Sequence, residues 1–140
     1  LNGIVEASNF RVTSDTKPTL VKVPSASGRG QELARCPNCY VMVYSHYGGI
    51  GKWAMFVRTG TLDEEGKKIA KPDVHIFTTS KFEWIDLTSE KERGVTVHDE
   101  YYDLNKVWSK ESLERFKVLQ EKMAAAKAEE AEKATEESKI

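Results

Sequence analysis

Arg35-Cys36-Pro37-Asn38-Cys39-Tyr40-Val41-Met42-Val43-Tyr44 is the stretch on which the reading of the fold turns. Two cysteines separated by two residues bring both sulfurs to one side of a tight loop. Backbone N–H groups then lie near those sulfurs, an arrangement suited to tetrahedral zinc with Zn–S distances of about 2.3 Å. Pro37 fixes φ within the loop and removes a competing donor. Tyr40 to Tyr44 carries the aromatic and β-branched bias of a strand. Glu32 to Arg35 leads in from the other side, so the turn joins two extended segments.

Two sulfurs do not complete a closed zinc site, which takes four Cys or His ligands. The chain has two cysteines and three histidines, and His46, His75 and His98 lack the close spacing of a zinc-finger pair. Any completion from them depends on tertiary contact. Two other readings of the pair stay open. A redox role calls for a thiol at a helix N-terminus, whereas the segment after Cys39 is β-prone. The plain alternative is two free thiols in a partly buried turn. A disulfide scaffold is excluded, because a bridge across three positions constrains little of the unfolded chain.

Working outward, Ile4, Phe10, Val12, Leu20, Val21 and Val23 alternate loosely between turn-forming residues and predict strands near 3–6, 9–13 and 18–23. Pro24-Ser25-Ala26-Ser27-Gly28-Arg29-Gly30 predicts a hairpin loop. It lacks the spacing of a phosphate-binding loop. Trp53 to Arg58 predicts a buried strand, Asp63 to Pro72 a solvated excursion, Val74 to Thr78 a further strand and Trp84 to Leu87 a last edge segment. From Ser89 to Tyr102 the pattern is uninformative. Leu113, Phe116, Leu119 or Gln120, and Met123 then recur at helical spacing, with Ser109 as N-cap. Beyond Met123 the helix formers continue without an apolar stripe, so residues 124–140 predict a solvated helical tail.

The 140 residues are 39% hydrophobic and 31% charged, with 21 basic against 22 acidic side chains. This balance offers no footprint for a phosphate backbone or an anionic membrane surface. Aromatic residues such as Trp53, Phe56 and Trp84 are not ringed by basic ones, so they read as core filling. No apolar run nears the roughly 20 residues that span a bilayer. Paired thiols without a secretory leader suggest a reducing, cytoplasmic setting.

A second constellation is Gly60-Thr61-Leu62-Asp63 with His75. A Gly-Thr turn, an acid and a strand histidine make Thr61, Asp63 and His75 candidates for a polar pocket. The bland alternatives are an Asx turn at Asp63 and a solvent-facing His75.

Taken in order, Pro24 to Gly30, Arg35 to Cys39, Val57-Arg58-Thr59-Gly60-Thr61-Leu62-Asp63, His75-Ile76-Phe77 and Ser80-Lys81-Phe82-Glu83-Trp84 resemble the glutathione-dependent formaldehyde-activating enzyme and centromere protein V family. The resemblance covers roughly residues 1–87, and Tyr101-Tyr102 and Trp108 to Phe116 are similar to extensions of fungal members. It implies a mainly β fold of small antiparallel sheets, a β-tent around a zinc knuckle, followed by a C-terminal helix. It implies carbon–sulfur lyase chemistry on an S-hydroxymethylglutathione-like adduct, with glutathione as co-substrate. Members hold a structural zinc with an upstream Cys-x-Cys and a later Cys-x-x-Cys, and a second, catalytic zinc with a separate Cys-x-Cys-x-x-Cys. Only the later pair matches here, at Cys36 and Cys39, and Tyr40 stands where many members have Gly.

The expectation is therefore a partial family domain over 1–108, lacking its N-terminal part, with a helix and tail over 109–140. Structural zinc contributes on the order of 10–16 kcal/mol in small domains, so the isolated chain is expected to be metastable. The expected function is that of a lyase fragment, itself inactive, that shares a small thiol–aldehyde adduct as its substrate class. The alternative is a non-catalytic binding module whose helical tail engages a protein partner.

Overall fold

Alternating apolar residues in the first half build strands, and their pairing buries one small core. The computed structural model describes residues 1–25 and 28–137. These pack as two compact units, one spanning Leu1–Lys71 and a second beginning at Pro72. The division at 108/109 drawn from the sequence concerns family content and the helical tail, which is a different partition.

The first unit is a five-stranded antiparallel sheet of β1 (Asn2–Glu6), β2 (Thr19–Val23), β3 (Gln31–Arg35), β4 (Met42–Tyr47) and β5 (Ala54–Arg58), in the order β1-β5-β4-β3-β2. Strands β2 to β5 form a meander, and β1 pairs with the far side of β5, Asn2 opposite Arg58 and Ile4 opposite Phe56. Small residues let the sheet close around aromatic ones: Ala34 and Ala54 are fully buried, and Ala34 faces Tyr44 across β3 and β4. Tyr44 packs edge-on against Phe10 at 5.0 Å and against His46 at 5.6 Å. Successive strand residues point to opposite faces. Ser45, Tyr47 and Phe56 therefore line the other face, where Tyr47 meets Phe56 at 4.6 Å.

The loop expected over 24–30 joins β2 to β3, with Val23 opposite Gln31; its Ala26 and Ser27 lie outside the described residues. The strand expected near 9–13 does not form. Ala7–Asn9 is a 3-10 turn closed by Phe10 N–H donating to the Ala7 carbonyl, and the Lys17 ammonium then gathers the carbonyls of Val12 and Ser14. Local bonds from turn-forming residues outcompete the ladder there. The excursion from Asp63 contains a short exposed helix, α1 (Glu64–Ile69), capped by Asp63 and laced by Glu64–Lys67 and Glu65–Lys68 ion pairs.

The second unit has two-residue strands, β6 (Val74–His75) and β7 (Thr96–Val97), paired in parallel, and helices α2 (Thr88–Glu92), α3 (Leu104–Val107) and α4 (Lys110–Glu137). The strand expected over 74–78 stops early because Phe77 adopts a left-handed backbone at φ 56°, which no ladder accommodates. The edge segment expected at 84–87 is a turn, with Ile85 N–H donating to Phe82 and Trp84 exposed. Val95 and Tyr102 are the buried apolar residues here.

Helix α4 begins as expected: the Ser109 hydroxyl accepts from the Ser112 N–H at 3.2 Å. Its Phe116 ring meets Trp108 at 5.3 Å, and the Trp108 indole N–H donates to the Tyr102 hydroxyl at 3.0 Å. Leu113, Phe116, Leu119 and Met123 are half-buried on one stripe, and the helix then runs on to Glu137 almost wholly exposed. No described helix is long and apolar enough to cross a membrane.

Candidate metal centre

The β3–β4 hairpin delivers the cysteine turn. A register shift between Ala34 and Arg35, with Arg35 opposite Met42, leaves Val43 unpaired immediately beside it. A bulge of this kind bends a strand and re-aims its end. The turn is then closed twice, by Cys36 N–H donating to the Val41 carbonyl and by Tyr40 N–H donating to the Cys36 carbonyl, both at 2.9 Å. Cys36 is half-buried and Cys39 exposed, and neither is in a disulfide.

The electrostatics of the turn favour ionised sulfur. The backbone N–H of Cys39, then that of Asn38, then the Cys39 thiol, stabilise the Cys36 thiolate and hold its pKa below the ordinary thiol value, against a smaller opposing effect of burial. Backbone donors aimed at a sulfur are what a metal-binding thiolate needs. Tyr40 follows with φ 60°, a left-handed conformation that glycine adopts freely and a tyrosine adopts at a cost of roughly 1–2 kcal/mol. The replacement noted from the sequence therefore leaves the turn closed, with the strain carried by Tyr40.

The donor set reaches two. Among the described residues no group of three or more His, Cys, Asp or Glu side chains is placed to hold a metal ion. Two of the three histidines are hydrogen-bonded elsewhere, and the third, His98, has a buried Nε2 with no partner among the described residues. His46 uses Nδ1 on the Ala54 carbonyl at 3.2 Å, and His75 places Nε2 3.3 Å from Glu90 Oε2. Cys36 and Cys39 share one turn, and no described His, Asp or Glu joins them in a group that could hold a metal ion.

The pocket candidates fall on both units, and Thr61 and Asp63 each make a local bond. Thr61 donates its hydroxyl to the Arg58 carbonyl at 2.8 Å, and Asp63 accepts from the Gly66 N–H at 2.8 Å as the cap of α1. Gly66 is fixed by this cap, since a Cβ there would meet Leu62 Cβ at 2.9 Å. His75 is oriented by Glu90, a partner the irregular 89–102 stretch gave no reason to expect. Glu90 also receives Arg93 Nη2 at 2.7 Å, and the Arg93 and His75 hydrogen bonds, in that order, hold its carboxyl below the usual glutamate range. A base oriented by a carboxylate is a recurring proton-handling arrangement.

At the other end of β3, a cavity of about 550 Å³ is lined by Lys22, Arg29, Glu32, His46, Tyr47 and Lys52 with the flanks of the 24–30 loop. Sequence reasoning also passed over Arg58, a charged residue ending an apolar strand. Its guanidinium sits with Asn2, Met42 and the fully buried Ser45.

Residues 1–80, more than half of the chain, match the family described as glutathione-dependent formaldehyde-activating enzyme. No curated protein and no solved structure matches the chain significantly. The match takes in the whole sheet, the cysteine turn and the β6 histidine, and on that span the chain belongs to the glutathione-dependent formaldehyde-activating enzyme family.

Proposed function

We propose that this chain contributes to a zinc-dependent carbon–sulfur lyase acting on a thiol–aldehyde adduct, with glutathione as the thiol. The single observation that carries the reading is the family match over residues 1–80, which includes a cysteine turn whose backbone already favours a thiolate. In this reading Cys36 and Cys39 are structural ligands and account for two of the four donors of their site. The grouping with centromere protein V and with fungal members belongs to the same proposal.

Bound there, zinc supplies a cross-link that holds the hairpin end closed and adds to folding stability. Among the described residues no donor set fits a catalytic metal. The net conversion is balanced without it. The adduct hydroxyl loses its proton, its C–O bond becomes C=O, and the C–S electron pair returns to sulfur, which takes a proton. His75, oriented by Glu90, is the candidate in this chain for moving that proton. Thr61 and Asp63 stabilise a turn and a helix cap of the first unit, and no part in the proton transfer is assigned to them.

The test is turnover of S-hydroxymethylglutathione by the zinc-loaded protein carrying this chain. Cleavage to glutathione and formaldehyde is expected. His75→Gln should lower kcat about 10²-fold or more, the scale of a lost general acid–base group, with the fold intact by circular dichroism. Absence of cleavage by the protein with its metal confirmed bound would overturn the lyase reading.

A further inference from the structure

Three strands of the sheet place a polar row on one face: Lys22 of β2 stands opposite Glu32 of β3, and Glu32 opposite His46 of β4. Directly opposed residues share a face, with Cβ atoms roughly 4.5–5.5 Å apart. All three line the cavity of about 550 Å³ at that end of the sheet, a volume in the range of small-molecule sites. Glu32 and His46 are half-buried, and Lys22 is exposed.

Glu32 and His46 are acceptors without donors. A carbonyl only accepts, so the 3.2 Å contact of His46 Nδ1 with the Ala54 carbonyl puts the proton of the neutral ring on Nδ1 and leaves Nε2 as a lone pair. No described residue donates to that Nε2 or to the Glu32 carboxylate, and Lys22, although opposite Glu32, lies beyond ion-pair distance of it. Neither acceptor is sealed in, since the buried side-chain nitrogens and oxygens without a partner among the described residues are Arg58 Nε and His98 Nε2. Two neighbouring acceptors on an accessible cavity wall suit a donor with several protons on one centre, and an ammonium has three.

The mouth of the cavity carries the opposite charge. Gly28 and Gly30, at φ 71° and 68°, turn the β2–β3 loop on either side of Arg29. The Gly30 N–H donates to Ser25 Oγ at 3.1 Å, and the Gly48 N–H donates to the Gly30 carbonyl at 3.3 Å. Arg29 thereby passes so close to Gly48 that a Cβ there would collide with the Arg29 carbonyl, and its guanidinium lies alongside Gly49. Arg29 makes no ion pair with a described carboxylate, so its fork and the Lys22 ammonium are both available to a ligand. Acceptors on the inner wall and cations at the mouth complement a group that bears an ammonium and a carboxylate on one carbon.

We propose that this cavity recognises the α-amino-acid head of a small molecule, its ammonium on Glu32 and His46 Nε2 and its carboxylate on Arg29 and Lys22. The proposal rests on the functional reading above only for naming that molecule as glutathione, whose γ-glutamyl end carries such a head; the site itself stands on the arrangement of charge around the cavity. These residues bind and orient the ligand and take no part in bond breaking.

The experiment follows the His46 ring nitrogens by ¹H–¹⁵N NMR while the chain is titrated with L-glutamine, with S-methylglutathione, and with the N-acetyl derivative of each. A saturable shift at Nε2 is expected with the two free amino-acid heads, and binding about tenfold weaker or more once acetylation removes the ammonium. Glu32→Gln keeps the shape of the wall but removes its charge, and should weaken both ligands to a similar extent. The wild-type titrations decide the matter even where the variant does not fold. If L-glutamine moves Nε2 and S-methylglutathione does not, the amino-acid site stands and the glutathione reading falls. If S-methylglutathione binds equally well when acetylated, or binds with Nε2 unmoved, the site is overturned while the glutathione reading survives. No response to either free amino-acid head overturns the site as well.

Discussion

The two compact units of this chain are built by opposite means. In Leu1–Lys71 five strands pair along their length, and register decides which side chains meet: Ala34 with Tyr44, Ser45 with Phe56, Asn2 with Arg58. From Pro72 onward the paired strands are two residues long, and side-chain bonds supplement a few isolated main-chain ones such as Phe77 N–H to the Glu100 carbonyl. The Thr78 hydroxyl donates to His98, Tyr102 receives Trp108, and Glu90 gathers both His75 and Arg93. Ladder pairing positions a site by periodicity, and a single-residue slip moves all of it. A side-chain network positions a site one bond at a time, and each bond can be removed alone.

The largest effect should come from the ladder unit. Leu33 is 7% exposed in the central strand β3, and Leu33→Ala should cost about 2–5 kcal/mol, measured by urea titration. Amide exchange refines the same contrast: protection in β3 and β4 is expected to exceed that in β6 and β7, and the reverse order would break the comparison. In the network unit Tyr102→Phe removes the acceptor of the Trp108 indole and should cost about 1 kcal/mol, read by tryptophan fluorescence during unfolding.

Tyr40→Gly tests the strain at the cysteine turn. Relief of the left-handed conformation favours the variant by about 1–2 kcal/mol, and the greater freedom of glycine in the unfolded chain offsets about 0.5–1 kcal/mol, so a small gain in melting temperature is expected. A loss would show that the Tyr40 side chain stabilises the turn by contacts that outweigh its strain.

The pH dependence of the network unit follows from Glu90. Its carboxyl is held below the usual glutamate range by Arg93 first and His75 second, so it contributes stability that is fully present above the unfolded glutamate pKa of about 4.3. That contribution is lost as pH falls through the lower folded value. Glu90→Gln should therefore lie below wild type in stability by a constant margin near neutral pH, with the two curves converging in acid. The smallest effect is expected at the end of α4. Removal of residues 128–140 should change stability by less than about 0.5 kcal/mol, because the half-buried stripe ends before them.

Sequence pattern made the sheet legible wherever β-branched and aromatic residues ran together, as in Val41 to Tyr44 and Ala54 to Val57, and it located the start of α4 through Ser109. It failed where local chemistry overrode pattern. Residues 9–13 alternate as a strand would, yet Lys17 and the Ser14 turn satisfy the backbone locally. Helix α1 has no apolar stripe to betray it, because a cap and two surface ion pairs support it. Strand β7 is too short for periodicity to register. At the site, the cysteine spacing was readable because both donors share one turn. The Arg58–Ser45–Asn2 grouping was not, since it depends on three strands meeting in register.

The central claim is that Cys36 and Cys39 act together as two ligands of one metal. Cobalt titration of the chain, followed by thiolate-to-metal absorption, tests it most directly. The account predicts a band that scales with two thiolates per cobalt, disappears in both Cys36→Ser and Cys39→Ser, and coincides with protection of both thiols from alkylation. Cobalt bound without a thiolate band, or a band that survives either substitution, would contradict it.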